Sequence, residues 1–206
     1  MARKTELVDI HKALGGDGSR RVVVLHGLGG IGKTQLSIAY AKRHKNNYSA
    51  IFWLDTNNEH SLKQSFTKVA KQISREHPSA IPVSNRETDQ NLDEVVKSVK
   101  AWLSLPGNTR WLIIFDNYDP KLPGKTDPTA VDIRKFLPES YQGSIIITTR
   151  SSEVKIGHSI QIRNFVDVRD SLKILSTMSR REGLVTGKDV LDFILLSNFE
   201  YQILML

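Results

Sequence analysis

Apolar positions along the chain follow two spacings, one typical of helices and the other typical of buried strands. Where apolar side chains recur every three or four residues, the spacing predicts a helix that packs one face against a core. Where they form short unbroken runs, the pattern is typical of strands that are covered on both faces. The helical spacing occupies residues 5–14, 32–44, 59–75 and 92–103. The unbroken runs occupy residues 21–26, 49–55, 111–116 and 144–149.

The order of these segments predicts an α/β fold. Strands and helices alternate along the chain, as they do in an open parallel sheet with helices on both sides. We therefore predict a three-layer fold with a five-stranded, mainly parallel sheet. An alternating segment at 158–164 supplies the fifth, edge-like strand, and a helical turn at 131–136 precedes the fourth. Exposed loops are predicted at 77–90 and 117–130, and a last helix at 168–181.

A glycine-rich segment follows the first strand and has the sequence Gly27-Leu28-Gly29-Gly30-Ile31-Gly32-Lys33-Thr34. It fits the P-loop pattern G-x-x-x-x-G-K-[ST], and the flanking strand and helix supply the context that this motif needs. Glycines let successive backbone N–H groups turn inward around an anion, and the positive end of the next helix points to the same place. The segment therefore predicts a binding loop for the phosphates of ADP or ATP. The predicted nucleotide contacts are Gly27, Gly29, Gly30, Ile31, Gly32, Lys33, Thr34 and Gln35.

Two metal ligands are predicted from the P-loop and from a strand downstream of it. Lys33 is expected to bridge β- and γ-phosphate oxygens, and the Thr34 hydroxyl to ligate Mg²⁺. Asp116 ends an apolar strand, where a carboxylate can hold the same ion directly or through water. An aspartate at that place can also cap the following turn. We take Thr34 and Asp116 as the predicted metal ligands.

Hydrolysis also needs a group that orients or activates the attacking water. Many ATPases place a second acid directly after the first, but Asn117 stands at that position. Asp119 is the nearest replacement, so Asp116 and Asp119 are the candidate catalytic residues. A solvated loop aspartate is an equally good account of Asp119.

Arg150 closes the fourth strand and is a candidate sensor of the γ-phosphate. A guanidinium pairs with phosphate in a fixed fork, so it can report whether that phosphate is present. A surface arginine is the alternative. Because ligands bind at the carboxyl ends of the strands in such sheets, we expect the P-loop, Asp55, Asp116 and Arg150 to form one site.

Composition narrows the class of protein without deciding its function. The 206 residues include 39% apolar and 25% charged residues, enough for a sizeable core, and no cysteine. The absence of cysteine excludes disulfides and thiolate metal sites and suits a reducing compartment, so a cytoplasmic location is expected. No apolar run is long enough to span a membrane. The net charge of +7 comes from scattered Lys and Arg residues, so a nucleic-acid partner is not predicted.

Several segments resemble the NB-ARC domain of signal-transducing ATPases. This family includes animal apoptosis-activating factors, plant disease-resistance proteins and fungal NOD-like relatives. The resemblance rests on residues 27–36, 50–54, 112–117 and 143–150, which match the family's blocks in order and spacing. The pair Asp116-Asn117 resembles the fungal branch in particular. Near the start, residues 3–7 weakly resemble the Gly-Arg-x-x-Glu-Leu block that borders the adenine pocket.

The resemblance implies a nucleotide-dependent signalling switch of the NOD-like receptor type. It implies that ADP is held in a resting state and exchanged for ATP with Mg²⁺, and that hydrolysis is slow at most. In a full-length relative it implies an effector domain and self-oligomerisation, with a role in innate immunity. It also implies a sheet of strand order 5-1-4-3-2.

The resemblance ends near residue 182, so we expect an NB-ARC nucleotide-binding domain over residues 1–182. Residues 183–206 contain neither the Gly-Leu-Pro-Leu motif nor the Met-His-Asp block of the family. They are expected to form an atypical apolar tail or the truncated start of a helical subdomain. Two other classes of function stay open: a small-molecule kinase with a metabolic role, and a DNA-linked P-loop ATPase.

Overall fold

The computed structural model describes residues 3–16, 19–78, 89–120 and 131–163. Residues 5–163 form one compact unit. The helices are α1 (Lys4–Leu14), α2 (Lys33–Arg43), α3 (Glu59–Glu76) and α4 (Asp89–Leu103). The strands are β1 (Arg21–His26), β2 (Ala50–Asp55), β3 (Trp111–Tyr118), β4 (Ser144–Thr149) and β5 (His158–Gln161). Short 3₁₀ turns lie at Lys45–Asn47 and Ile133–Phe136.

The five strands form one parallel sheet in the order β2-β3-β4-β1-β5. This is the strand order that the family resemblance implies, so that prediction is confirmed. Strand β1 pairs with β4 on one side and with β5 on the other. The carboxyl ends of β1, β3 and β4 therefore meet at the middle of one edge, where the loops after them can share a site.

Helices cover both faces of the sheet and divide the core in two. On one face, α3 and α4 bury residues such as Phe66 and Val99 against Phe52 and Ile113. On the other face, α1 and α2 bury Leu7 and other apolar residues against the opposite side of the same strands. The central strands are apolar on both faces because each face is covered. The predicted three-layer fold is confirmed.

The amphipathic pattern of α3 shows how local sequence fixes an element. Asn58 precedes the helix, and its side-chain oxygen accepts a hydrogen bond from the Ser61 N–H at 2.8 Å, which is an N-cap. The apolar residues at helical spacing, including Leu62, Phe66 and Ile73, are all buried. The predicted helix therefore forms, with its end at Glu76 within one residue of the prediction.

Element ends differ from the prediction in three places. β3 continues to Tyr118, so the loop predicted from residue 117 begins two residues too early. The loop predicted over 77–90 is also too long, since α4 begins at Asp89. β5 ends at Gln161, short of the predicted residue 164. The helix predicted at 168–181 and the tail at 183–206 lie outside the described residues. Among those that are described, no helix has the length and apolarity that crossing a bilayer requires.

Candidate functional site

The glycine-rich loop joins β1 to α2 and depends on backbone angles that other residues avoid. Gly32 is the residue before α2 and has φ 93° and ψ 20°, in the left-handed region, which glycine adopts without a steric cost. At Gly27, a Cβ atom would collide with the carbonyl oxygen of Ile162. The start of the loop is therefore packed tightly against the backbone that follows β5.

Lys33 is the first residue of α2, and its ammonium group contacts the start of the loop that precedes the helix. Its Nζ donates to the carbonyl oxygens of Gly27 at 2.9 Å and Leu28 at 2.8 Å. Only 9% of the residue is exposed. Burial, and then the positive charge of Arg150, lower the pKa of Lys33 below its ordinary value. An ammonium has three donors, so the group can also bind a phosphate oxygen.

Thr34, Asp116 and Thr148 form a chain of hydrogen bonds between the loop and the sheet. The hydroxyl of Thr34 donates to Oδ1 of Asp116 at 2.9 Å, and the hydroxyl of Thr148 donates to the same oxygen at 2.6 Å. Thr148 also accepts the N–H of Asn117 at 3.0 Å. Asp116 is 5% exposed and Thr148 only 1%. The carboxylate is therefore held in one orientation, directly beside the P-loop hydroxyl.

The backbone of Asp116 is fixed as firmly as its side chain. Its carbonyl oxygen accepts both the N–H of Thr56 at 2.9 Å and the Thr56 hydroxyl. Thr56 is buried at the end of β2. Because two neighbouring strands hold the residue from two sides, the position of the carboxylate is set by the sheet rather than by a loop.

These oxygens suit a magnesium ion. Mg²⁺ prefers oxygen ligands about 2.0–2.1 Å away and is commonly held by one or two protein oxygens together with water and phosphate. In the described part of the chain, no group of three or more Asp, Glu or His residues is gathered as a metal cage. The pair Thr34 and Asp116 supplies two adjacent oxygens beside the phosphate loop, so its chemistry fits this kind of site.

A cleft of about 290 Å³ opens in front of the loop, at the carboxyl ends of β1, β3 and β4. Its lining combines the P-loop, the start of α2 and the residues that follow β3 and β4. The lining residues are Gly29, Gly30, Ile31, Gly32, Lys33, Thr34, Gln35, Asn117, Asp119, Thr148, Thr149 and Arg150. Asp116 lies behind Thr34 and does not line the cleft itself. The structure thus brings most of the predicted nucleotide contacts together with Asp119 and Arg150.

Two other predicted members of the site do not line the cleft. Asp55 ends β2, the edge strand, where it pairs with Asp116 of β3. Its carboxylate accepts the N–H of Asn57 at 3.2 Å, and its membership of the site stays a prediction. Gly27 does not line the cleft either; its carbonyl holds Lys33.

Asp119 and Arg150 are the charged residues of the cleft mouth. Oδ2 of Asp119 lies 3.8 Å from Nε of Arg150, and the two side chains are 58% and 75% exposed. Neither group is buried, so both can move toward a ligand in the cleft.

The sequence interpretation missed Thr148, Thr149 and Asn117. It treated the two threonines as the end of β4 and Asn117 as a missing acid. The sequence did contain a signal for these residues. Polar side chains at the end of a buried strand need hydrogen-bond partners, and an acid at the end of a neighbouring strand can supply one. Sheet order and register were needed to use it.

Comparisons with known proteins agree with this geometry. A sequence profile of the NB-ARC domain matches residues 3–182. A nucleotide-binding leucine-rich repeat (NLR)-like protein from Hyaloscypha variabilis is 28% identical over 173 residues. That match covers 78% of this chain and 16% of the relative, so the chain spans less than a fifth of that protein's length.

Solved structures share the fold. Cdc6p from Pyrobaculum aerophilum superimposes with a TM-score of 0.56 at 15% identity, over 90% of this chain and 51% of that one. The Aeropyrum pernix ORC2 protein, solved in ADPNP–ADP complexes, gives a TM-score of 0.51 at 15% identity, over 88% of this chain and 53% of that one. At such identities these similarities concern the fold alone.

Proposed function

Because the chain belongs to the NB-ARC domain family, we propose that it binds ADP and ATP with Mg²⁺ and acts as a nucleotide-dependent signalling switch. Hydrolysis is slow at most. The observation that carries this proposal is the contact between the P-loop hydroxyl of Thr34, which lines the cleft, and the buried carboxylate of Asp116, 2.9 Å apart. That contact joins a phosphate loop to a metal-binding acid.

Each group of residues in the cleft has its own role in binding the nucleotide. Backbone N–H groups of Gly29 to Thr34 surround the β-phosphate at the positive end of α2. Lys33 neutralises phosphate charge, and Arg150 meets the γ-phosphate from the end of β4. Thr34 and Asp116 would hold Mg²⁺, and the ion would supply positive charge that offsets the charge of the phosphates. A switch needs contacts that differ between its states, and among these groups Arg150 is the one proposed to respond to the γ-phosphate.

Slow turnover follows from the residues after Asp116. Asn117 cannot take a proton from water, and it stands at the place where many ATPases have a second acid. Among the described residues that line the cleft, Asp119 is the carboxylate, and it lies beside Arg150. We therefore propose Asp116 and Asp119 as the acids through which the residual hydrolysis occurs.

The signalling role is proposed from the relatives. The NLR-like protein is much longer than this chain, so an effector domain, self-oligomerisation and a part in innate immunity are proposed for a full-length protein. The absence of cysteine fits a reducing compartment, and we place that protein in the cytoplasm.

Lys33→Ala tests the nucleotide site. The substitution removes a charge-assisted phosphate contact worth about 1.5–3 kcal/mol, so calorimetric affinity for ADP and ATP should fall about ten- to a hundredfold. Lys42→Ala, in the last turn of the same helix, is the matched control and should bind as the parent chain does. Equal affinity in the Lys33 variant would exclude the assignment.

Phosphate release separates the switch from its alternatives. We expect steady-state release near zero with ATP alone. Turnover that depends on an added small-molecule acceptor would indicate a kinase, and stimulation by DNA would indicate a DNA-linked ATPase. Mass spectrometry of nucleotide that co-purifies with the chain identifies the bound species directly.

A further inference from the structure

Asp119 and Arg150 face one another because of an irregularity in β3. In the regular part of the sheet, Phe115 pairs with Ile147, but beyond it the register shifts so that Tyr118 pairs with Thr149. Asn117, inside the shift, has a left-handed φ of 63°. The next residues on the two strands are Asp119 and Arg150. Bulges of this kind re-aim side chains beside binding sites.

Without the shift, this pairing would not exist. A regular register from Phe115 and Ile147 would place Tyr118, not Asp119, opposite Arg150. The extra residue in β3 therefore places Asp119, instead of Tyr118, opposite Arg150. Oδ2 of Asp119 comes within 3.8 Å of Nε of Arg150. Both side chains line the nucleotide cleft.

We propose that Asp119 determines the preference between diphosphate and triphosphate, by competing with the γ-phosphate for Arg150. This inference rests on the proposed function and concerns the regulation of the same site. With ADP, the guanidinium stays paired with the carboxylate. With ATP, the guanidinium binds the γ-phosphate and Asp119 loses its partner. The carboxylate and the γ-phosphate, both negatively charged, then lie together at the cleft mouth.

The size of the effect follows from exposure. An ion pair on a surface is weak because water screens it, and it contributes a fraction of the energy of a buried pair. Losing such a competitor should change an affinity ratio by about two- to fivefold. A bias of that size favours the diphosphate without preventing exchange.

The test is a double-mutant cycle read out by calorimetry with Mg²⁺, using ADP and a non-hydrolysable ATP analogue. We expect Asp119→Asn to strengthen the ATP analogue relative to ADP by about two- to fivefold, with ADP itself nearly unchanged. In an Arg150→Gln background the same change should shift the ratio by less than about 1.5-fold. Glu153→Gln neutralises a nearby acid outside the cleft and should change neither nucleotide.

Three results would overturn the inference. Equal changes for both nucleotides would make Asp119 a general structural residue. A full effect in the Arg150→Gln background would remove the competition for the guanidinium. An unaltered affinity ratio in Asp119→Asn would exclude any part of Asp119 in the preference between the two nucleotides, whatever its part in hydrolysis. If the parent chain bound neither nucleotide, the proposed function itself would fail, and that result is distinct from all three.

Discussion

Thr148→Val tests whether the buried carboxylate must be held in place for the site to work. Valine has nearly the same shape as threonine, so the substitution leaves no cavity and removes only the hydroxyl. That hydroxyl donates to Asp116 at 2.6 Å and accepts the N–H of Asn117 at 3.0 Å. The change therefore takes one of two hydrogen bonds from Oδ1 of Asp116 and leaves a backbone donor without its acceptor.

The expected loss of stability can be worked from these two bonds. A hydrogen bond to an ionised carboxylate contributes about 1.5–3 kcal/mol, and a neutral one about 0.5–1.5 kcal/mol. Thr148 is 1% exposed, so water cannot easily replace either bond. We expect a total of about 2–4 kcal/mol, which corresponds to a fall in Tm of about 5–15 °C for a domain of this size.

The effect on nucleotide binding should depend on the metal. With only Thr34 left to orient it, the Asp116 carboxylate can rotate away from the P-loop. We expect affinity for nucleotide with Mg²⁺ to fall about five- to twentyfold, while affinity measured with excess EDTA changes little. Calorimetry under the two conditions gives both numbers.

Two further variants make the result interpretable. Thr149→Val is the matched control, because Thr149 is equally buried and, within the described part of the chain, its hydroxyl accepts the N–H of Ser151 and does not contact Asp116. It should lose about 1 kcal/mol and keep its metal dependence. Thr148→Ser retains the hydroxyl and should restore metal-dependent binding. If Thr148→Val bound nucleotide with Mg²⁺ as tightly as the parent chain does, the carboxylate would not need this support and the reasoning would be wrong.

Two other predictions concern backbone geometry and pH. Gly32→Ala should cost about 1–2 kcal/mol and weaken nucleotide binding, because alanine is strained at a φ of 93° even with open space around it; Gly32→Asn, measured in the same melts, should lose less. His44 stacks on His11 with ring centroids 4.3 Å apart, and burial, then His11 and Arg43, lower its pKa below 6.5. The folded state therefore binds fewer protons than the unfolded one below about pH 6.5, and acidification to about pH 5.5 should lower Tm. His44→Gln should reduce that pH dependence, while His60→Gln, on an exposed helix position, should leave it unchanged.

The sequence predicted the elements well because their determinants are local. The apolar run ending at Asp116 is a strand in any parallel sheet, and the spacing of Leu62, Phe66 and Ile73 specifies one helical face. The P-loop was predictable for the same reason, since its glycines and Lys33 act through the backbone of a single segment. Strand order was available only through the family resemblance.

What the sequence could not supply depends on register between distant segments. Asp55 ends a strand as Asp116 does and pairs with it, but only the sheet order shows that its strand is an edge strand, separated from β1 by two strands. The bulge at Asn117 adds one residue to β3, and nothing in the apolar run of that strand predicts it. The bulge places Asp119 beside Arg150. Thr148 matters because it lies beside Asp116 across the sheet, 32 positions away along the chain.

The position of β1 between β4 and β5 has a consequence for synthesis of the chain. Its two neighbours are β4 and β5, which follow it by about 120 positions, so at roughly 5–20 residues per second β1 emerges from the ribosome on the order of ten seconds before a partner exists. During that interval the strand before the P-loop has two unpaired edges and two apolar faces. Parallel strands that are distant in sequence pair slowly, and the intermediates expose apolar surface that is prone to aggregate. We therefore expect the cleft to be assembled late, after β4 has inserted between β3 and β1.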